Sequence, residues 1–287
     1  MNQARKGLAK VAKSFRLRLA LSLVLSLVLL AISRKISSRT PLDVSTEFEG
    51  ITVKHRTVTE SRTGEIRQVT VSFDGDTRPV RNGFIYYNFA GENPKRTEMR
   101  FIDSKTLSGD LPEGKRGQKL YYRIELMGDE RFLTSLPPIG QPGYLVKFKG
   151  HAAPIILISH IVLLFVAVFL AFLAFFIGKD LVKGVGRPKT AFLIALSIFL
   201  CTLAGGIIIG PVVTYQTFGE GWGGWPIGKD ITDTKTEIFL FFWLVAVIIG
   251  IGFWRGSRPF VGDIAYGYFI MFCFVITLVA FLIPHSL

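Results

Sequence analysis

The chain has 287 residues, enough for one or two domains, and 49% of them are hydrophobic, with a mean hydropathy of +0.42. Its formal charge of +13 is carried in short basic stretches beside long apolar runs, a membrane-topology pattern that leaves a nucleic-acid function without support. Both cysteines, Cys201 and Cys273, lie inside apolar runs, which excludes a disulfide framework or a thiolate metal site in the hydrophilic region.

At the N-terminus, Arg5, Lys6, Lys10, Lys13, Arg16 and Arg18 precede an apolar run over residues 19–33 with no acidic residue among them. This is the charge and hydropathy order of a signal sequence. The exit, Ala31-Ile32-Ser33-Arg34-Lys35, is a poor cleavage site, so residues 1–36 are expected to be a basic cytoplasmic arm and an uncleaved signal anchor.

Residues 37–150 read as β structure. Apolar and polar residues alternate in Ile51-Thr52-Val53-Lys54-His55 and in Val69-Thr70-Val71-Ser72-Phe73. Further strand-like runs cover 83–89, 97–102, 119–126 and 144–149, separated by Asp74-Gly75, Arg81-Asn82-Gly83, Glu92-Asn93-Pro94 and Glu113-Gly114-Lys115. About seven short strands at this spacing predict an antiparallel β-sandwich. The stretch 83–126, with its paired Tyr86-Tyr87 and Tyr121-Tyr122, resembles immunoglobulin-like and fibronectin-type modules, which implies a fold and no activity. Pro137-Pro138 and Gln141-Pro142-Gly143 are expected to form a stiff connection to the next helix.

Residues 151–287 hold four more apolar runs, at 152–178, 190–213, 238–254 and 260–284. About 20 apolar residues cross a bilayer as a helix, so a four-helix transmembrane bundle is expected here. The segment 179–189 and the turn around Arg255 and Arg258 are basic, whereas the loop 214–237 is slightly acidic. The bias places the N-terminus in the cytoplasm, the β-domain and loop 214–237 outside, and the C-terminus outside. The expected fold class is therefore an α+β membrane protein of the cytoplasmic membrane: an N-terminal signal-anchor helix, an extracytoplasmic antiparallel β-sandwich and a C-terminal four-helix bundle.

Candidate site residues concentrate on the expected outer side. His151 stands at the mouth of the second helix, His285 at the end of the last, and His160 about 10 Å deeper in the second, from a rise of about 1.5 Å per residue. An ionisable group at that depth needs a partner. The structural alternative for His160 is a hydrogen bond across helices to Ser197, Thr202 or a backbone carbonyl. The glycine- and tryptophan-rich loop from Phe218 to Asp233, which includes Trp222-Gly223-Gly224-Trp225-Pro226, reads either as an interfacial aromatic belt or as a ligand surface. Asp233 is expected to cap the following helix, with Thr234 and Glu237 in its first turn, and Asp230 is the other capping candidate. Gly206 and Gly210 form a G-x-x-x-G pair expected to pack within the bundle, with dimerisation as the alternative.

Gly205-Gly206 through Gly210-Pro211, Trp222-Gly223-Gly224-Trp225-Pro226 and Asp230-Ile231-Thr232-Asp233-Thr234-Lys235-Thr236 resemble a group of uncharacterised bacterial polytopic membrane proteins. Those carry a GG-x-x-x-GP helix end, an aromatic-glycine loop, a D-L-T-D-N-K-T segment and a histidine that would match His160. The resemblance implies no activity. The loop is also similar, more loosely, to the tryptophan-rich haem-handling proteins of cytochrome c maturation. That likeness implies Trp222, Gly223, Trp225 and Asp230 beside haem b, with His151 and His285 as flanking ligands; Pro226, Ile227 and the displaced Asp230 depart from it, and His160 is a further candidate cofactor residue. A transition metal held by His160, His285, Asp230 or Glu237 is a parallel reading, because imidazole and carboxylate suit several metals.

H-E-x-x-H, G-x-S-x-G and Walker-type sequences are absent, so hydrolase and nucleotide readings lack support, and no catalytic residue is assigned. Insertase and transporter readings lack the deep basic residue or midplane polar groups they need. The leading expectation is a non-enzymatic subunit that docks a membrane or extracytoplasmic protein partner or a small ligand. The alternative is a haem- or metal-handling membrane protein.

Overall fold

A computed structural model describes residues 2–129, 131–228 and 230–283, with residues 2–13 described by backbone alone. The chain is α+β and divides into two compact units. One is helical (Met1–Ser38, Ala153–Thr214 and Gly221–Leu287); the other is β-rich (Arg39–Ala152 and Tyr215–Glu220). The N-terminal helix thus packs with the later helices.

Among the described residues, five helical segments are long and apolar enough to cross a membrane. They are Ser14–Ser37 within α1 (Asn2–Ser37), α2 (Pro154–Val182), the segment Pro188–Phe218, α5 (Ile231–Arg255) and α6 (Asp263–Leu282). The third is composite: α3 (Pro188–Thr202) runs through a π-helical stretch, Leu203–Ile209, into α4 (Gly210–Phe218). Pro154 and Pro188 open their helices where a missing N–H leaves no bond unmade. Gly256, at φ 68°, closes α5 in the left-handed conformation that glycine adopts without a steric penalty.

Ser22, Ser26, Leu29 and Ser33 recur at spacings that share one face of α1, and all four are buried. Small side chains on that face let α1 approach its neighbours closely. Arg18 pairs with Asp180 through both carboxylate oxygens, which sets the start of the apolar part of α1 beside the end of α2. The Trp243 Nε1–H donates to Thr277 Oγ1 at 3.0 Å, and the Tyr266 hydroxyl donates to the Ala246 carbonyl at 3.2 Å, joining α5 to α6. The Lys189 ammonium lies 4.5 Å from the centre of the Trp254 ring, so the start of α3 meets the end of α5. One end of the helical unit therefore collects Arg18, Lys179, Lys183, Arg187, Lys189, Arg255 and Arg258.

The β-rich unit contains β1 (Asp43–Phe48), β2 (Ile51–Arg56), β3 (Glu60–Arg62), β4 (Arg67–Asp74), β5 (Asn82–Phe89), β6 (Lys95–Asp103), β7 (Thr106–Leu111), β8 (Lys119–Met127), β9 (Phe132–Leu136) and β10 (Tyr144–Lys149). They pair in the order β1-β2-β4-β7-β6-β5-β8-β10-β3, with β9 on β8. The sheet is mixed, which corrects the expectation of a purely antiparallel one: β10 and β3 run parallel, with Phe148 opposite Ser61. The reason lies in the connection. Only Thr57, Val58 and Thr59 separate β2 from β3, yet these strands stand near opposite ends of the pairing order. The chain crosses between them without a hairpin reversal, and the sheet must curl to let it. Val53, Val71 and Leu107 from one part of the order and Ile85, Tyr122, Ile124 and Val146 from the other accordingly share one core.

Two local expectations are corrected. Asn82 and Gly83 open β5 instead of forming a turn. Pro137, Pro138 and Pro142 connect β9 to β10 inside the β-rich unit, so they are not the connection to α2.

Candidate functional site

The loop entering α5 is built by its own polar side chains. Asp230 has an extended backbone and caps α5, its carboxylate accepting from the Thr232 N–H at 2.7 Å. Asp233, the expected cap, instead accepts from the Gly223 N–H at 2.8 Å and holds the glycine-rich loop against the helix start. Thr234 Oγ1 accepts from the Trp225 N–H at 3.1 Å and donates to the Asp230 carbonyl at 2.9 Å. The Gly228 and Asp230 N–H groups donate to the Gly224 and Gly223 carbonyls, both at 2.7 Å. Thr214 Oγ1 donates to the Gly221 carbonyl at 2.8 Å. Glycine is needed at 224, where a Cβ would stand 2.7 Å from that of Asp233. The result is a pinned loop whose tip leaves Trp225 68% and Ile227 79% exposed, while Trp222 turns back and is half-buried.

Beneath Trp222 lies a cleft of about 480 Å³, lined by Ile207, Pro211, Trp222, Glu237, Leu240, Phe241 and Leu244. Glu237 stands about 9 Å along α5 from its first residue, at about 1.5 Å per residue, and is the single charged group in this lining. Among the described residues it has no ion pair or hydrogen-bond partner.

His160 is held by the neighbouring π-helical stretch. Its Nδ1–H donates to the Gly205 carbonyl at 2.8 Å, which is the backbone-carbonyl alternative; Ser197 and Thr202 bond the carbonyls of Leu193 and Ile198 in their own helix. The three glycines of the GG-x-x-x-G string face different neighbours. A Cβ on Gly205 would meet Leu163 of α2 at 2.8 Å, one on Gly206 would meet Thr236 of α5 at 2.7 Å, and one on Gly210 would meet the His160 ring at 3.7 Å. They serve packing within the helical unit.

His151 is exposed and belongs to the β-rich unit, while His160, Asp230 and Glu237 belong to the helical one. His285 lies outside the described residues. Among the described residues, no group of three or more His, Cys, Asp or Glu side chains is placed to hold a metal ion.

Two features escaped the sequence reading. Lys235 is only 5% exposed, and its ammonium donates to the Ile283 carbonyl at the end of α6. The signal was present: Lys235, Phe239 and Trp243 recur every four residues, and all are buried on one face once α5 is extended back to Ile231. The second is His55, which takes an inward position of β2. Its Nδ1–H donates to the Thr70 carbonyl, and its Nε2 accepts from the Tyr122 hydroxyl, both at 2.8 Å. Tyr122 Oη in turn accepts from the Val58 N–H at 2.8 Å. Burial lowers the pKa of His55 and raises that of Tyr122, which keeps both neutral.

No protein-family model matches the chain, and no curated protein matches it. Among solved structures, it is similar to the crystal structure of a Br derivative of BhCBM56, a carbohydrate-binding module, at 12% identity, covering 32% of this chain and 95% of that one. The TM-score is 0.22, at which the likeness carries no argument about fold or function.

Proposed function

We propose that the chain is a non-catalytic binding protein of the cytoplasmic membrane, whose ligand site is the cleft beneath the pinned Trp222–Asp233 loop. In this reading α1 is an uncleaved signal anchor, and the four later crossings form the bundle that carries the cleft. The curled sheet acts as a two-layer extracytoplasmic sandwich that docks a protein partner. The basic end of the helical unit faces the cytoplasm, as the positive-inside bias requires, and the loop and cleft face outward. Kinship with the polytopic membrane proteins that share the GG-x-x-x-GP string and the aromatic-glycine loop is part of the same proposal.

The observation that carries it is the cleft under a loop fixed by seven hydrogen bonds within it and to its flanking residues. A site already ordered before binding avoids the entropy of ordering a loop around its ligand. An interfacial belt alone needs no such fixing, because aromatic side chains at that level act singly. The test is native mass spectrometry of the protein released from nanodiscs. The wild type should retain one amphiphile per chain, and Leu240→Trp, which fills the cleft with a larger ring, should abolish retention. Equal retention by the filled variant would overturn the proposal.

A further inference from the structure

We propose that the ligand of this cleft is an amphiphile whose head carries an ammonium group, held between the Glu237 carboxylate and the Trp222 ring. The inference rests on the cleft being a binding site and adds the chemical class of its occupant. Three observations point to a cation. First, Glu237 is the single charge in an otherwise apolar lining and has no partner among the described residues. Glu237 is half-buried, and a carboxylate partly withdrawn among apolar side chains gains from a positive group or hydrogen-bond donors that compensate it. Second, the cation closest to it in sequence is unavailable, because Lys235 faces a different side of α5 and gives its ammonium to the Ile283 carbonyl. Third, the other aromatic and acidic partners fit this charge sign. Trp222, whose indole is the best aromatic surface for an ammonium ion, lines the same cleft. Asp230 and Asp233, the acids that precede Glu237 on this helix, are already engaged with backbone N–H groups. They add negative potential at the start of α5 without lining the cleft.

The rest of the lining fixes the remainder of the ligand. Ile207, Pro211, Leu240, Phe241 and Leu244 present hydrocarbon and no donor or acceptor side chain. They suit an alkyl or acyl chain and reject a polar solute, which would lose its hydration there without replacement. A lipid of net negative charge is disfavoured by Glu237, and one without a positive group leaves it unpaired. An ammonium-headed lipid satisfies both the carboxylate and the apolar wall.

The test compares lipids in one preparation. The full-length protein is reconstituted in nanodiscs of equal parts phosphatidylethanolamine and phosphatidylglycerol, and the lipid retained in native mass spectra is identified. Wild type should retain phosphatidylethanolamine in at least about tenfold excess over phosphatidylglycerol, a coupling of about 1.4 kcal/mol. Glu237→Gln should reduce that preference to near unity while the total retained lipid stays similar, and Trp222→Leu should reduce it partly. Retention without headgroup preference, or a preference unchanged in Glu237→Gln, overturns the ammonium assignment and leaves the cleft as a site. No retained lipid in wild type, or retention unchanged in Leu240→Trp, overturns the cleft itself.

Discussion

Replacing Tyr122 by Phe removes one oxygen from the middle of the β-rich unit and leaves the ring. Tyr122 is 1% exposed, and its hydroxyl links β8 to β2 and to the β2–β3 connection by donating to His55 Nε2 and accepting from the Val58 N–H. The ring still packs on Tyr144, at 5.4 Å between centroids, so little apolar contact is lost. What changes is hydrogen bonding. His55 is 3% exposed, so its Nε2 becomes a buried acceptor with no donor, and Val58 is left to find water. Two lost bonds, one leaving a buried group unsatisfied, sum to about 2–4 kcal/mol. Hydrogen exchange of the intact protein in mild detergent reads this directly, through peptides covering β2, β4 and β8. Protection there should fall about 30-fold to 700-fold, at about 1.4 kcal/mol per factor of ten, while the peptides of α2 and α5 stay unchanged. Protection in β2 and β8 within about twofold of wild type would refute the hydrogen-bond network as a source of stability.

The same network makes the β-rich unit sensitive to acid. The pKa of His55 is lower folded than its ordinary 6.5, so below that value the unfolded chain binds a proton that the folded one resists. Stability is therefore full above about pH 6.5 and declines as pH falls, until the folded imidazole also protonates; His55→Gln should flatten that decline in a pH series of thermal melts. Gly206→Ala should lower the melting temperature of the helical unit by overpacking worth about 1–3 kcal/mol, because its Cβ would stand 2.7 Å from Thr236 Cγ2. Thr236→Ser deletes that methyl and should recover part of the loss in the Gly206→Ala background, measured by the same melts. Arg18 and Asp180 are 31% and 24% exposed, so their coupling should be modest, about 1 kcal/mol. Arg18→Asp should loosen α1, and the exchanged pair Arg18→Asp with Asp180→Arg should restore it, as read by proteolysis at the α1 end.

The parts of the fold that were legible in the sequence are those where one physical signal dominates. The apolar runs at 152–178 and 260–284 are realised as α2 and α6, because a span of that hydropathy has one stable conformation in lipid. The alternation Val69, Val71, Phe73 points inward in β4 as expected. Strands with a weaker pattern were missed. In β1 the inward positions Val44, Thr46 and Phe48 are only half-buried at the edge of the sheet, and β7 contains Gly109, whose Cβ would meet Met99 at 2.9 Å. The β10–β3 pairing joins residues far apart in sequence and leaves no local trace. At the site, the loop and Trp222 were read from their glycines and aromatics. The exchange of roles between Asp230 and Asp233 was not, because both spacings permit a cap. Glu237 was proposed as a metal ligand, and its place on a cleft wall depends on the π-helical stretch bringing Ile207 and Pro211 opposite α5, which periodicity cannot foresee.

Sidedness decides whether the loop and cleft face the outside, and site-specific labelling measures it most directly. Ser104→Cys lies on the exposed β6–β7 turn, and Val185→Cys lies on the α2–α3 connection at the basic end, where Val185 is 74% exposed. The native Cys273 is buried and Cys201 sits within α3, so unmodified protein serves as the control. In spheroplasts treated with a membrane-impermeant maleimide, Ser104→Cys should be labelled at once and Val185→Cys only after permeabilisation. Labelling of Val185→Cys in intact spheroplasts, with Ser104→Cys protected, would invert the topology and contradict an outward-facing binding site.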